Sequence, residues 1–237
     1  MTLLIKLLLA HIIGDFFLQP QKWVKEKETK RLKSGKLYVH VIIHMALVAL
    51  LFWDIALWPI VLIIGISHLI IDAAKLLIQN KKTKRALFFV DQLFHVLVIA
   101  SCYFYYSEDT LIKVFSLNED SLLLLTCLLF LTIPVSIIMK TIFLKWNISE
   151  LTKNNESLMD AGKYIGILER LLVFIFIINN HWEAVGFLIT AKSVFRFGDL
   201  KKSKDRQLTE YILIGTLISF GIAITTGIIF NMYVQIR

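Results

Sequence analysis

Proline, glycine, cysteine and charge are all scarce: 237 residues hold three Pro, ten Gly and two Cys, and only 19% of positions are charged against 57% apolar. So apolar a chain is not disordered and does not read as an ordinary cytosolic domain. With long unbroken Leu/Ile/Phe runs and little alternation of polarity, it does not read as a β-barrel either. Cys102 and Cys127 both sit inside apolar stretches, in no metal or redox spacing, so there is no disulfide framework. Helices in a bilayer remain, and the mean hydropathy of +0.70 agrees.

A bilayer core needs roughly 20 mostly apolar residues per helix. That measure predicts an all-α polytopic transmembrane bundle of about eight spans, at 2–19, 38–57, 59–79, 86–106, 120–143, 161–179, 182–198 and 208–234. The first run carries Lys6, His11 and Asp15 and no small-x-small cleavage site, so it reads as a retained helix rather than a signal peptide. Basic residues alternate between connections. The segment 20–37 holds Lys22, Lys25, Lys27, Lys30, Arg31, Lys33 and Lys36, and 80–85 holds Lys81, Lys82, Lys84 and Arg85. Segments 140–163 and 199–207 hold four basic residues each, whereas 54–59 and 179–182 hold none. The positive-inside rule then puts the basic connections in the cytoplasm and both termini outside it. The formal charge of +8 thus gathers on one membrane face, beside anionic headgroups. No nucleic-acid recognition motif accompanies it, so lipid is the expected partner.

No repeat or low-complexity tract divides the chain. Residues 1–106 hold five of the six His and read as a four-helix metal-binding unit. Residues 107–160 read as a spacer helix, kinked at Pro134, with a loop, and 161–237 as a three-helix unit with a buried charge cluster.

An ionisable side chain in hydrocarbon is costly and needs a partner. Each of the first four helices carries a pair at one spacing: His11 with Asp15, His40 with His44, His68 with Asp72, and Asp91 with His95. Four positions put each pair on one helix face. A given Asp has about one chance in twenty of a His exactly four positions away, yet Asp15, Asp72 and Asp91 all have one. With alternating helix directions, these side chains fall within about two or three turns of the cytoplasmic boundary.

Five imidazoles and three carboxylates at one depth are a donor set for zinc, manganese or iron, with no thiolate for softer metals. Eight donors exceed one tetrahedral site, which points to two divalent ions, zinc or manganese, about 3.5–4 Å apart. Asp15, Asp72 and Asp91 are then the catalytic candidates, for bridging the ions and moving protons, while Lys75 and Gln92 are helpers. The same pairs also fit interhelical hydrogen bonds that merely hold a bundle together. Haem on two of the histidines would leave three carboxylates unexplained. Asp54 and His181 fall at the outer face, away from the layer.

A second cluster comprises Glu169, Arg170, Lys192, Arg196 and Glu210. It reads either as a neutralising ion-pair network or as the substrate site, in which the surplus cation holds an anionic headgroup or phosphate.

The segment Ala-His-Ile-Ile-Gly-Asp-Phe-Phe-Leu-Gln at 10–19, with His-x-x-x-His at 40–44, His-Leu-Ile-Ile-Asp at 68–72 and Asp-Gln-x-x-His at 91–95, resembles a bacterial integral-membrane family of unknown function. Its members begin with a His-x-x-x-Asp-Phe-x-x-Gln helix. The Ile-Gly-x-Leu-Glu-Arg segment at 165–170 and Lys-Ser-x-x-Arg-Phe at 192–197 resemble the extension of its longer members. The intramembrane His and Asp pairs are more distantly similar to bacterial inner-membrane proteins labelled metal-dependent hydrolases. The resemblance implies a metal-dependent hydrolase in the inner membrane and names no substrate; the two-ion donor set points to a lipid-linked or membrane-associated phosphoester, reached from the cytoplasmic side. A divalent-metal or proton transporter and a non-catalytic membrane scaffold are the rival expectations. Oligomeric state is not legible.

Overall fold

The computed structural model describes residues 1–106, 118–146, 160–197 and 203–236, except the side chains of Ile55, Phe195, Arg196, Phe197 and residues 203–208. Among them there is no strand. The all-α expectation holds. Ten α-helices follow one another: α1 Thr2–Ile12, α2 Gln21–Lys30, α3 Gly35–Phe52, α4 Trp58–Ile78, α5 Lys84–Tyr106, α6 Glu119–Leu131, α7 Ile133–Phe143, α8 Ala161–Ile178, α9 Trp182–Phe197 and α10 Ser203–Ile236.

Among the described residues, five stretches are long and apolar enough to cross a bilayer: α3, α4, α5, α6 with α7, and Thr209–Ile236 of α10. Counting the bent pair Thr2–Phe17 with Gln21–Lys33 as one span gives six. The two further expected spans, at 161–179 and 182–198, are helices, but α8 carries Lys163, Glu169 and Arg170 within 18 residues and α9 has only 16 residues. By helix rise, α3 to α5 extend about 27–35 Å, close to the thickness of a hydrocarbon core.

The chain divides into two compact units, Met1–Thr126 and Cys127–Arg237. In the first, α1, α3, α4 and α5 pack as a four-helix bundle, α1 touching α3 and α5, and α4 touching α3 and α5. Leu7, Val48, Phe52, Ile60, Ile64 and Ile99 are among the buried apolar residues that close the end of the bundle away from the lysine-rich connections. The close of α3 is marked by Trp53 in the left-handed conformation, φ 47°, and the first turn of α4 by Pro59.

Two departures from regular helix shape the other end. After α1 the chain makes a π-helical turn, Ile13–Phe17, closed by Leu18 N–H donating to Ile13 O at 2.9 Å. Such turns widen a helix by one residue and recur at functional sites. Extended Pro20 then ends the helix, and α2 leaves at 81°. The segment 20–37, expected as a topology-setting loop, is therefore largely helical. Trp23, Val24, Lys27 and Glu28 line the inward-facing side of α2, while Lys22, Lys25 and Lys30 are exposed.

In the second unit, α8 packs on α9 and α10, and α7 touches both α8 and α10. The kink expected at Pro134 is a break at Thr132 between α6 and α7.

Candidate metal centre

All eight sequence-predicted ligands converge in the first unit. The side chains of His11, His40, His44, His68, His95, Asp72 and Asp91 are at most 7% exposed, and the Asp15 side chain is 10% exposed. His40, His44, Asp91 and His95 lie five to eleven residues from the starts of α3 and α5, and His68 and Asp72 six to ten from the end of α4. The rows of ligands meet at one depth because neighbouring helices run in opposite directions.

The contacts are mostly between helices rather than within the four-residue pairs. Asp15 Oδ1 faces the Nε2 atoms of His44, His40 and His68 at 3.0, 3.2 and 3.4 Å. The Nε2 atoms of His40 and His68 lie 3.0 Å from each other. His11 Nε2, on Asp15's own helix, is 3.9 Å from Asp15 Oδ2. Gly14 permits this crowding: a Cβ there would overlap the His44 ring.

Protons alone do not satisfy this arrangement. A carboxylate oxygen only accepts, and a neutral imidazole has one N–H. If His40 donates to His68 through Nε2, His68 Nε2 presents a lone pair, which then faces the lone pairs of Asp15 Oδ1. A cation among them lets every atom act as a donor of electrons. Two ligands on one tetrahedral zinc, bonded at about 2.0–2.1 Å, are separated by roughly 3.4 Å, close to the observed spacings.

Three overlapping sets of ligand atoms, each within 4.8 Å of one another, could hold a metal ion: His11, Asp15, His44 and His68; His40, His68 and Asp72; and Asp72, Asp91 and His95. His68 stacks between His44 and His95, with ring centroids 3.9 and 4.0 Å away. Such close stacking suits neutral rings, the form in which imidazole binds metals.

The three carboxylates share a pattern. Each has one oxygen anchored by a nitrogen donor and the other turned toward imidazoles. Gln92 Nε2 donates to Asp15 Oδ2 at 2.8 Å, Lys27 Nζ to Asp72 Oδ2 at 2.7 Å, and Lys75 Nζ to Asp91 Oδ2 at 2.8 Å. Opposite these anchors, Asp91 Oδ1 and His95 Nε2 are 3.7 Å apart, and neither has a hydrogen-bond partner among the described residues. His40 Nδ1 is the other buried side-chain atom in that position. Buried polar atoms are seldom left this way unless a ligand, ion or water meets them.

Lys27 is the member of the centre that sequence reasoning did not find. By sequence it stands among the lysines that fix topology, yet it is 5% exposed and reaches Asp72 from α2. The available signal was its place on a helix face with Trp23. Glu28, beside it, accepts from Gln79 Nε2 at 3.1 Å and pairs with Lys84, so α2 is tied across the turn between α4 and α5. Lys75 and Gln92, expected as helpers, occupy those places.

On the side toward the apolar core, a cavity of about 10 Å³ lies beneath His11, His44, His68 and His95, walled by Leu7, Val48, Ile64 and Ile99. That is about the space one water occupies.

The expected substrate cluster in the second unit is differently built. Arg170, 3% exposed, donates through Nε to Leu131 O at 2.7 Å, through Nη2 to Thr132 O and Ser136 Oγ at 3.1 and 2.7 Å, and through Nη1 to Ser219 Oγ at 3.2 Å. Its guanidinium is consumed at the α6–α7 break, where it supplies donors to carbonyls the interrupted helix leaves exposed. Arg170 thereby bridges the α6–α7 break to α10. Lys192 Nζ pairs with Glu169 Oε2, as the ion-pair alternative anticipated. Glu210 is exposed on α10, and the Arg196 side chain lies outside the described residues.

In comparisons with known proteins, the DUF3307 family, a protein family of unknown function, matches residues 3–124. That segment contains all eight ligand-type residues with Lys27, Lys75 and Gln92, and it ends before the segments at 165–170 and 192–197. No curated protein and no solved structure matches the chain.

Proposed function

We propose that this chain, which belongs to the DUF3307 family, is a bacterial inner-membrane metal-dependent hydrolase. Its substrate is a lipid-linked or membrane-associated phosphoester, reached from the cytoplasm. The observation that carries the reading is the convergence of three imidazole nitrogens on Asp15 Oδ1 at 3.0–3.4 Å, a donor set that protons leave frustrated and a divalent ion, zinc or manganese, satisfies. Such an ion, when bound, supplies Lewis acidity and a water acidic enough to act near neutral pH.

The remaining roles belong to the protein. Gln92, Lys27 and Lys75 hold the three carboxylates in place, an outer layer of the kind that fixes ligand geometry. Asp91 Oδ1 and His95 Nε2 are free to take and return a proton. In the overall reaction, water oxygen bonds to phosphorus, the ester P–O bond breaks, and the leaving oxygen receives a proton.

The proposed topology has eight spans with both termini outside the cytoplasm. It places the centre near the basic connections, where Lys22, Lys25, Lys30, Lys81 and Arg85 meet anionic headgroups. Lys192 and Arg196 are retained as candidate contacts to an anionic substrate group. A transporter would need a path onward from the centre, and the apolar core from Leu7 to Phe52 and Ile60 closes that direction.

The test pairs elemental analysis of purified protein with hydrolysis assays on lipid phosphoesters, in wild type and in a His44→Ala Asp72→Ala variant. Metal and activity should both be present in wild type and both be lost in the variant. A metal-free wild type at high purity ends the proposal, and bound metal without hydrolysis of any lipid phosphoester returns the centre to a carrier or structural role.

A further inference from the structure

The two halves of the centre differ in charge. Around Asp72 and Asp91 two carboxylates face two ammonium groups, Lys27 at 2.7 Å and Lys75 at 2.8 Å, so that half is already neutral. Asp15 has only the Gln92 amide as its anchor, at 2.8 Å, and neutral imidazoles around its other oxygen, so it retains a full negative charge. Lys6, the buried lysine of α1, stands five residues from His11 and donates to Leu51 O at 2.7 Å, in the apolar layer rather than at Asp15.

Charge in a low-dielectric interior persists only where it is compensated. One divalent ion beside Asp15 takes the centre from one net negative charge to one net positive charge. A second ion would raise it to three, with no protein anion left to offset it. The sequence alone suggested two ions; the ammonium groups of Lys27 and Lys75 remove the need for the second.

We infer that the centre binds a single divalent ion, in the half that holds Asp15, His44 and His68, and that Lys27 and Lys75 stand in for a second cation so that the Asp91–His95 half receives an uncharged hydroxyl group. The reading rests on the metal-dependent function proposed above and specifies its site. His95 Nε2 and Asp91 Oδ1, 3.7 Å apart, buried and without hydrogen-bond partners among the described residues, suit a water or alcohol oxygen that accepts from the imidazole N–H and donates to the carboxylate. Asp91 would thereby be the proton acceptor for a hydroxyl held between it and His95, and Asp15 the ligand that cannot be spared.

Stoichiometry tests this directly. The full chain in detergent or nanodiscs, carrying His181→Ala to remove an exposed His181–Glu183 pair, is titrated with Zn²⁺ and with Mn²⁺, and bound metal per chain is counted. One ion is expected in the parent, none in Asp15→Asn, and one in Asp91→Asn with affinity changed by less than about threefold. Lys27→Met, which bares Asp72, should bind two, and Lys75→Met provides the same test if that variant does not fold. Two ions in the parent, loss of metal in Asp91→Asn, or one ion in both Met variants overturns the inference and leaves the metal-dependent reading standing. No metal in the parent overturns both.

Discussion

Gln92 Nε2 lies 2.8 Å from Asp15 Oδ2 across 77 positions of chain. The orientation of the amide is fixed by this contact and by a second, 3.3 Å from Asp91 Oδ2: the reversed amide would set its oxygen against two carboxylates. Gln92 Oε1 therefore faces His11 Nε2 at 3.3 Å, and that nitrogen must carry a proton. Gln92→Glu should weaken metal binding by about 10–100-fold, the range for losing a partner that orients a ligand. Competition with a chelator measures it. In ¹⁵N spectra of wild type, His11 should be the imidazole protonated at Nε2, in contrast to His44.

Gly14 sits where the π-helical turn brings the backbone against the His44 ring. Gly14→Ala should destabilise the first unit by about 1–3 kcal/mol, the usual cost of overfilling a packed site, and should displace His44 from Asp15. Thermal unfolding with and without added Zn²⁺ reads both effects. The metal-induced rise in Tm seen in wild type should shrink in the variant, and an undiminished rise would show that the His44 ring does not need the space Gly14 leaves.

Arg170 is expected to matter for folding and not for metal. Arg170→Met strands Leu131 O and removes the donor from Ser136 Oγ, at a cost of at least about 2 kcal/mol. Arg170→Lys should recover only part of it, because an ammonium cannot reproduce the fork of a guanidinium. Metal content should equal that of wild type in both. A loss of metal at full stability would assign Arg170 to the centre instead.

The ligand set was legible in the sequence because charge inside an apolar helix is conspicuous and the four-residue spacing of His68 and Asp72, or of Asp91 and His95, is a direct image of one helix face. Other features left no such mark. Lys27 is hidden among six other basic residues between 20 and 37, where a lysine ordinarily sets topology; its spacing from Trp23 is the hint the sequence holds, and the fold of α2 turns it inward. The π-helical turn has no sequence signature beyond Gly14, whose missing side chain leaves room for the His44 ring. Arg170 was conspicuous for the same reason as the ligands, but it donates to two backbone carbonyls at the Pro134 break and to two serine hydroxyls, and carbonyls are invisible to residue-type patterns. The charge balance between Asp15 and the two lysine-anchored carboxylates likewise requires knowing who faces whom.

Topology offers an independent check on the direction from which the centre is reached. Single cysteines at Lys22, Lys81 and Lys204, placed in a chain lacking Cys102 and Cys127, should react with a membrane-impermeant thiol reagent only after the inner membrane is opened. Reporter fusions at both termini should signal an outside location. A C-terminal reporter on the cytoplasmic side would remove one span from the proposed eight, and labelling of Lys22 from outside would reverse the bundle.

The most direct test of the central claim is X-ray absorption at the metal edge on purified, zinc-loaded protein. The account predicts a first shell of nitrogen and oxygen only, at about 2.0–2.1 Å, with outer-shell scattering from about three imidazoles that falls by one in His44→Ala. A sulfur shell, scattering without imidazole, or a spectrum unchanged by His44→Ala would contradict it.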